Sequence, residues 1–313
     1  MSNRIDGRRI QPHCEGSGSP ATETVGASAR DLRALARDRL DAFAAGRTTG
    51  PPTGTDDIQC PDDDFDRCID RTVPSPRLWI HQGADADAID RADVQQHEIG
   101  DCYVMAVLAA LTNSPEGRNF LRGAITENTD AAGRVLSYTV TLHQPQRRWF
   151  FPTTFTPLRV DVAPVYARGH AGARPGDGSN EVWVPVMERA YAQYAGGYNA
   201  MGHGGSIADA MEVVTGQPAR RVALRPLFGR YGPDDLQRDL LAGRLVAIAS
   251  RDDVEQTRPD LVPNHAYVVT GIEQQAGKPA LRLWNPWGIV QPAPVPFDKM
   301  NSLFVQVDVG SVK

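Results

Sequence analysis

One run of ten residues, Cys102 to Leu111 (CYVMAVLAAL), constrains the fold of this chain more than any other segment. The run is almost wholly apolar, and Asn113-Ser114-Pro115 follows it as a stop signal. A helix that is hydrophobic on all sides is buried in a core. The run therefore predicts a buried helix and a domain large enough to enclose it.

The composition indicates an ordinary globular protein and excludes several other classes. The chain has 313 residues, of which 41% are hydrophobic and 23% are charged, and its formal net charge is −5. This charge argues against an electrostatic nucleic-acid binder, which is usually basic. No apolar run approaches the ~18 residues of a membrane span, and no conventional signal peptide is visible. We expect no nucleic-acid or membrane partner, and a location in the cytoplasm or export without a conventional signal peptide.

Residues 1–75 differ from the rest and predict a polar, flexible N-terminal region. Leucine and phenylalanine at helical spacing predict one helix there, over residues 29–45. Asp62, Asp64 and Asp66 have EF-hand spacing, but the glycine and glutamate that such a loop requires are missing. We interpret these aspartates as a solvated acidic turn. The region as a whole is expected to be a tethered tail that can dock on the main domain, block a cleft or direct export.

Ordered structure is expected from about Leu78 onward, with a mainly helical stretch before a mainly β one. Helices are predicted over residues 182–194, 206–214 and 233–241. Strands are predicted over residues 135–142 and 158–162 and in LVAIAS, HAYVVTGIE, ALRLWNP and FVQVDV. This order is an α+β pattern. We predict a helical lobe over residues 76–216 and a β-rich lobe over residues 217–313.

Cys102 stands where a helix can activate a thiol. The positive end of the helix dipole lowers the pKa of a thiol at the helix N-terminus and favours the thiolate. The backbone N–H of Cys102 is also at a position where it can bind an oxyanion. A buried free cysteine is the alternative interpretation, because free cysteine is among the most buried residue types.

The other cysteines predict neither a metal site nor a disulfide framework. Four cysteines are too few for a disulfide scaffold of this length, and their spacing gives no CxxC zinc pair. Cys60 and Cys68 can form a bridge in an oxidising compartment, but we interpret them as reduced surface thiols.

His265 is the predicted base for this thiol, because it opens an apolar strand that would fix its ring. Five other histidines lie in polar or glycine-rich contexts and are expected to face solvent: His81, His97, His143, His170 and His203. Asn285 ends the next strand and would meet His265 if the two strands are neighbours. Trp287 would then cover the pair. Taken singly, these residues also suit a strand-end histidine, a turn-initiating Asn-Pro and a core tryptophan.

The ordered set resembles the catalytic core of calpain-type cysteine proteases. QHEIGDCYVMAVLAAL is similar to the Gln-x-x-x-Gly-Asp-Cys-Trp helix of that family, and VWVPVMERAYAQYAGGYNAMGHGGSIADAMEVVTG to the stretch that follows it. NHAYVVTGI and RLWNPWG resemble the histidine and asparagine motifs. The resemblance runs from about Leu78 to near the C-terminus. It implies a papain-like α+β fold with a helical lobe, a β-rich lobe and a cleft between them.

The resemblance implies a catalytic triad of three residues. Cys102 would be the nucleophile, His265 the general base and then the general acid, and Asn285 the residue that orients His265. Gln96 would donate its side-chain amide to the oxyanion beside the Cys102 N–H.

Further roles follow from the same resemblance. Gly204 and Gly205 would bind an extended substrate backbone, and Trp287 would shield the His–Asn pair. Tyr103 and Asn264 depart from the family pattern, in which tryptophan and glycine are usual at these positions.

Two acidic features bear on the chemistry. Asp101 matches the family motif, yet its charge would oppose thiolate formation, so His265 would have to outweigh it. Asp93 and Glu181 fall at acidic positions of a calcium loop that the family carries in its core, but acidic residues expected after NPWG are missing. We expect no cofactor and no metal site, with calcium as the one candidate ion.

We therefore expect a cysteine endopeptidase that hydrolyses peptide bonds of a protein or peptide through a thioester intermediate. One alternative keeps the site and changes the reaction to that of a deamidase or an amide-transfer toxin or effector. Only the acyl donor and acceptor differ between these reactions. The other alternative is a non-catalytic module that uses the cleft to bind peptides.

Overall fold

The computed structural model describes residues 64–81, 87–172, 180–224 and 231–312, and shows helices combined with antiparallel sheets. The α+β prediction is confirmed, whereas the division into two papain-like lobes stays a prediction. The helix predicted over residues 29–45 lies outside the described residues. Within the described ranges, no helix combines the length and the apolar character needed to cross a bilayer.

The helices follow the sequence pattern closely. Those described are α1 (Cys102–Leu111), α2 (Pro115–Ala124), α3 (Trp183–Ala195), α4 (Tyr198–Gly202), α5 (Ile207–Thr215), α6 (Pro233–Leu241) and α7 (Met300–Leu303). All ten side chains of α1 are buried, as its apolar run predicts. Pro185 lies in the first turn of α3, where the missing N–H breaks no helical hydrogen bond. The Ser206 hydroxyl caps α5 by accepting a hydrogen bond from the Asp209 N–H at 3.1 Å.

Two small sheets lie in the part of the chain that was predicted to be mainly helical. Their strands are β1 (Ile69–Arg71), β2 (Ile125–Thr129), β3 (Val135–Arg148), β4 (Phe151–Val162) and β5 (Tyr166–Ala167). Strand β1 pairs with β5, and β2, β3 and β4 form an antiparallel sheet. Strands β3 and β4 extend beyond the predicted segments and form one long hairpin.

The second half of the chain forms a larger sheet. Its strands are β6 (Arg220–Ala223), β7 (Leu245–Ser250), β8 (Ala266–Gln275), β9 (Lys278–Trp284), β10 (Val295–Pro296) and β11 (Phe304–Gly310). Within the described residues they form a six-stranded antiparallel sheet in the order β10-β9-β8-β7-β11-β6. Val268 of β8 lies opposite Trp284 of β9. The two strands are thus neighbours, which is the condition for His265 and Asn285 to meet.

The large sheet is covered on both faces, and α1 covers one of them. Helix α1 packs against β7 and β8. Ala247 and Val268 belong to the hydrophobic cluster that contains α1, whereas Val246 and Tyr267 belong to a second cluster. Successive residues of a strand point to opposite faces. This alternation explains why every residue of β7 is buried.

Ordered structure begins earlier than the sequence indicates. The Asp66 carboxylate accepts hydrogen bonds from the N–H groups of Tyr198 and Asn199 at 2.7 and 3.2 Å, and Ile69 of β1 pairs with Ala167. The expectation of order only from about Leu78 is therefore wrong for residues 64–77. Asp66 does not belong to a solvated turn, because it binds the first turn of α4.

Cys68 and His170 are also buried where the sequence suggested exposure. The Cys68 side chain is 2% exposed and its sulfur is disulfide-bonded, so the prediction of a reduced surface thiol is wrong. Cys60 lies outside the described residues. His170 is buried, its Nδ1 lies 2.7 Å from the Ala171 carbonyl oxygen, and burial lowers the pKa of its ring. Among the other four histidines, His81 and His203 are exposed, and the remaining two are half-buried.

The burial of α1 predicts a large loss of stability when its core is truncated. Leu108 is 0% exposed. Leu108→Ala is expected to lower the free energy of unfolding by about 2–5 kcal/mol, because a cavity remains where the side chain was. Urea unfolding measures this change. Leu241 of α6 is 81% exposed, so Leu241→Ala is the matched control and should change stability by less than about 0.5 kcal/mol. Equal losses in both variants would contradict the packing of α1.

Candidate active site

Cys102 is the first residue of α1, and its side chain is completely buried. The N–H groups of Val104 and Met105 bind the carbonyl oxygen of Asp101 and close the first turn. This turn leaves the Cys102 N–H at the end of the helix, where backbone donors have no partner within the helix. The position is the one predicted for a helix-activated thiol.

The sulfur of Cys102 is not a free thiol in this structure. Among the described residues no cysteine is free, and the Cys102 sulfur is disulfide-bonded. The nucleophilic form of cysteine is the thiolate. Reduction of this disulfide must therefore precede any attack by Cys102, which the sequence did not indicate.

His265 and Asn285 form a buried hydrogen-bonded pair between neighbouring strands. His265 immediately precedes β8, Asn285 immediately follows β9, and their side chains are 0% and 1% exposed. The His265 Nε2–H donates to Asn285 Oδ1 at 2.9 Å. Because a carboxamide oxygen only accepts, the proton is assigned to Nε2 and the lone pair to Nδ1. Nδ1 is thus the ring nitrogen suited to accept a proton from a thiol.

Backbone and side-chain contacts fix the orientation of Asn285. The Trp287 N–H donates to the same Oδ1 at 3.1 Å, and Asn285 Nδ2 donates to the Val290 carbonyl oxygen at 3.3 Å. Gln291 accepts from the Asn285 N–H at 2.8 Å and donates to its carbonyl oxygen at 3.3 Å. Oδ1 therefore faces two donors, which fixes it as the acceptor for His265. The role of Gln291 had no signal in the sequence.

Two aromatic rings enclose the His265 ring. The Trp287 ring lies 5.1 Å from it, and the Tyr267 ring lies 4.9 Å from it and nearly perpendicular. Trp287 is 3% exposed, and its role in shielding the pair from water stays a prediction. The hydroxyl of Ser250 in β7 accepts a hydrogen bond from the backbone N–H of His265 at 2.8 Å. Ser250 is a polar residue at the end of an apolar strand, which was the one sequence signal for it.

Gln96 connects the segment before α1 to the loop that contains Asn285. Its backbone N–H donates to the Pro286 carbonyl oxygen at 2.8 Å. Its side-chain amide is buried, and Nε2 donates to the Ile99 carbonyl oxygen at 2.8 Å. Gln96 is thus close to the asparagine loop, but its amide contacts Ile99. Because an amide NH2 carries two protons, the contact with Ile99 is compatible with the predicted oxyanion role of Gln96.

Gly204 and Gly205 form the loop before α5, and Gly205 lies against Tyr103. A Cβ on Gly205 would come within 2.5 Å of the Tyr103 ring. Gly204 has a φ of +84°. The Tyr103 hydroxyl is 3.4 Å from the Met201 carbonyl oxygen, to which it donates. The glycine loop therefore packs on the residue that follows Cys102. Its binding of substrate stays a prediction.

Comparison with known proteins identifies the family. Residues 81–293 match the family model described as calpain family cysteine protease, which covers more than half of the chain. The chain belongs to the calpain family of cysteine proteases. Calpain-13 of Rattus norvegicus is 30% identical over 225 residues, which are 68% of this chain and 31% of that relative. The calpain-1 catalytic subunit of Homo sapiens is 29% identical over 226 residues, 66% of this chain and 28% of the subunit. The chain thus matches less than a third of the length of these calpains.

Directly before Cys102, this calpain-family chain buries a carboxyl group that is paired with a second one. Asp101 and Glu188 of α3 are both completely buried and interact with each other. Burial raises the pKa of Asp101 to about 7 and the pKa of Glu188 well above its ordinary value. Both Glu188 oxygens lie 3.0 Å from the Ala171 N–H, which donates to them. The raised pKa keeps the Asp101 carboxyl largely protonated below about pH 7, where its charge opposes a thiolate less.

Asp93 and Glu181, the two acidic residues considered as calcium ligands, form a second carboxyl pair. The backbone N–H of Asp90 and the indole N–H of Trp183 donate to Asp93 Oδ2 at 2.7 and 3.1 Å. The backbone N–H of Ile80 donates to Glu181 Oε1 at 2.7 Å. Burial raises the pKa of Asp93 to about 7. Calcium takes about six to eight oxygen ligands, whereas the described residues contain no cluster of three or more His, Cys, Asp or Glu suited to a metal ion. The pair as described does not fit calcium.

The raised pKa of Asp101 predicts how stability depends on pH. The folded state keeps a proton up to about pH 7 that the unfolded state releases near its ordinary pKa of 3.8. Its contribution is therefore complete below about pH 4 and is lost as the pH rises through about 7, with a slope of up to ~1.4 kcal/mol per pH unit. Asp101→Asn should flatten this decline, which urea unfolding at several pH values measures. Asp252 is exposed, so Asp252→Asn is the control and should keep the parent profile. Parallel profiles for Asp101→Asn and the parent would refute the assignment.

Proposed function

We propose that this chain is a cysteine endopeptidase in which Cys102, His265 and Asn285 form the catalytic triad. The observation that carries the proposal is the buried His265–Asn285 hydrogen bond of 2.9 Å. It lies beside the sheet face on which α1 packs, and α1 begins with Cys102. Family membership supports the same chemistry, although the chain matches only part of the calpains to which it is similar.

The first half of the reaction forms a thioester. After reduction, the Cys102 thiol transfers its proton to His265 Nδ1, and the sulfur attacks the peptide carbonyl carbon. The carbonyl oxygen becomes an oxyanion, for which the Cys102 N–H is a donor at the helix N-terminus. His265 returns the proton to the leaving amine as the C–N bond breaks. The acyl group then remains on the sulfur as a thioester.

The second half releases the product. Water attacks the thioester carbonyl carbon and gives a proton to His265, which acts again as a base. The C–S bond breaks, the product leaves as a carboxylic acid, and the sulfur regains its proton from His265. Asn285 keeps Nδ1 directed away from β9 in both halves, because it binds the opposite ring nitrogen. The surrounding aromatic rings exclude bulk water and so strengthen these hydrogen bonds.

Replacement of the nucleophile tests the proposal. Cys102→Ser in the full chain, assayed after reduction, should lower the rate of peptide cleavage by on the order of 10³-fold or more, because serine lacks an equally acidic thiol. A peptide-library digest followed by mass spectrometry measures new N-termini. The circular dichroism spectrum and melting temperature of the variant should match those of the reduced parent, which also lacks the disulfide of Cys102.

Other results would contradict the proposal or identify a different function. Cleavage by Cys102→Ser at the parent rate would end the proposal. Glutamine-to-glutamate mass shifts without new N-termini would identify a deamidase that uses the same thioester. Labelling of reduced Cys102 by a thiol-directed epoxide no faster than that of Cys60, with no turnover, would favour a peptide-binding module.

We also propose that hydrolysis does not depend on calcium. The support is that N–H donors already bind the Asp93 and Glu181 carboxyl oxygens. Activity of the reduced chain should change less than about twofold between buffer with excess EDTA and buffer with millimolar calcium. A large activation by calcium that Asp93→Asn abolishes would contradict this proposal without affecting the triad.

A further inference from the structure

The hairpin of β3 and β4 ends in three consecutive aromatic residues that lie in solvent. Trp149 is 84% exposed, Phe150 is 93% exposed and Phe151 is 72% exposed. We call these three residues the aromatic tip. Monomeric proteins rarely expose a contiguous group of large apolar side chains, and such groups mark sites of interaction. The tip has no part in the reaction proposed above.

The turn at the end of the hairpin does not favour a bulky aromatic residue. Arg148 and Phe151 are paired across the hairpin, so Trp149 and Phe150 form a two-residue turn. Such turns favour Asn-Gly or Asp-Gly, because their backbone requires positive φ values. Phe150 has a φ of +82°, which is unfavourable for a bulky residue. Phe150 thus opposes the turn that it occupies, and neither Phe150 nor Trp149 is buried in exchange.

The surroundings of the aromatic tip are basic. Residues 143–160 contain three arginines and no aspartate or glutamate, although the whole chain has a net charge of −5. Arg147 and Arg148 directly precede the tip: Arg147 forms ion pairs with Asp209 and Glu212 of α5, and Arg148 is exposed. Arg159 is also exposed, but it pairs with Thr141 toward the other end of the hairpin. A negatively charged partner surface therefore complements this end of the hairpin.

We propose that the aromatic tip inserts into the interfacial region of an anionic lipid bilayer. Tryptophan is enriched at the level of the lipid headgroups, and arginine beside it can bind anionic headgroups. The tip is the convex end of a hairpin, so it can enter a bilayer without a matching groove. The expectation of no membrane partner considered only membrane spans, and surface association needs no spanning segment.

Binding to vesicles tests this inference with the full chain. The chain should sediment with vesicles that contain phosphatidylserine and phosphatidylcholine, and about tenfold less with phosphatidylcholine alone, because the arginines bind anionic lipid. Trp149→Ser combined with Phe150→Gly should lower binding to the mixed vesicles by about tenfold or more. The tryptophan fluorescence of the parent should shift to shorter wavelength on binding, since Trp149 leaves water.

Control variants distinguish a loss of vesicle binding from a loss of folding. Phe150→Gly alone relieves the positive φ, so its melting temperature should not fall. Leu241→Ser removes an exposed apolar residue elsewhere and should bind vesicles as the parent does. Cleavage of soluble peptides should be unchanged in the tip variants, so the proposed function can fail without affecting this result.

Two outcomes would overturn the inference. One is vesicle binding that the double variant retains or that is equal for neutral and anionic lipid. The other is absence of vesicle binding together with a concentration-dependent self-association that the double variant loses. That second result would make the aromatic tip a contact between two copies of the chain.

Discussion

The close packing of α1 on β7 and β8 is the constraint on which the candidate site depends. The sheet face that meets the helix contains Ala247, Ala249 and Ala266, whose small side chains let a fully apolar helix approach the strands. Cys102 begins that helix, and His265 directly precedes β8. Cys102 and His265 therefore lie at the starts of two elements, α1 and β8, that share one hydrophobic core.

Burial then decides which groups near the sulfur carry charge. Asp101 directly precedes Cys102, and removal from water keeps this carboxyl largely neutral below about pH 7. Exclusion of water by Trp287 and Tyr267 would likewise strengthen the hydrogen bond between His265 and Asn285.

Periodicity and stop signals were enough to predict α1, α6 and four strands of the large sheet (β7, β8, β9 and β11), since these elements are determined by local patterns. The two short edge strands, β6 and β10, were not predicted. The His265–Asn285 contact followed from the order of two strands that proved to be neighbours. The sequence could not predict contacts between distant segments, such as Asp66 with the first turn of α4. It also could not predict the carboxyl pair of Asp101 and Glu188, because their burial depends on how α3 packs behind α1.

The pairing of β1 with β5 determines where the chain can be shortened. Ile69 and Arg71 form the only neighbour that β5 has among the described residues. Any processing event that trims the N-terminal region must cut upstream of Asp64 to keep this strand in place. A cut nearer to Arg77 would leave Tyr166 and Ala167 with an uncovered backbone edge, and such an edge recruits other chains.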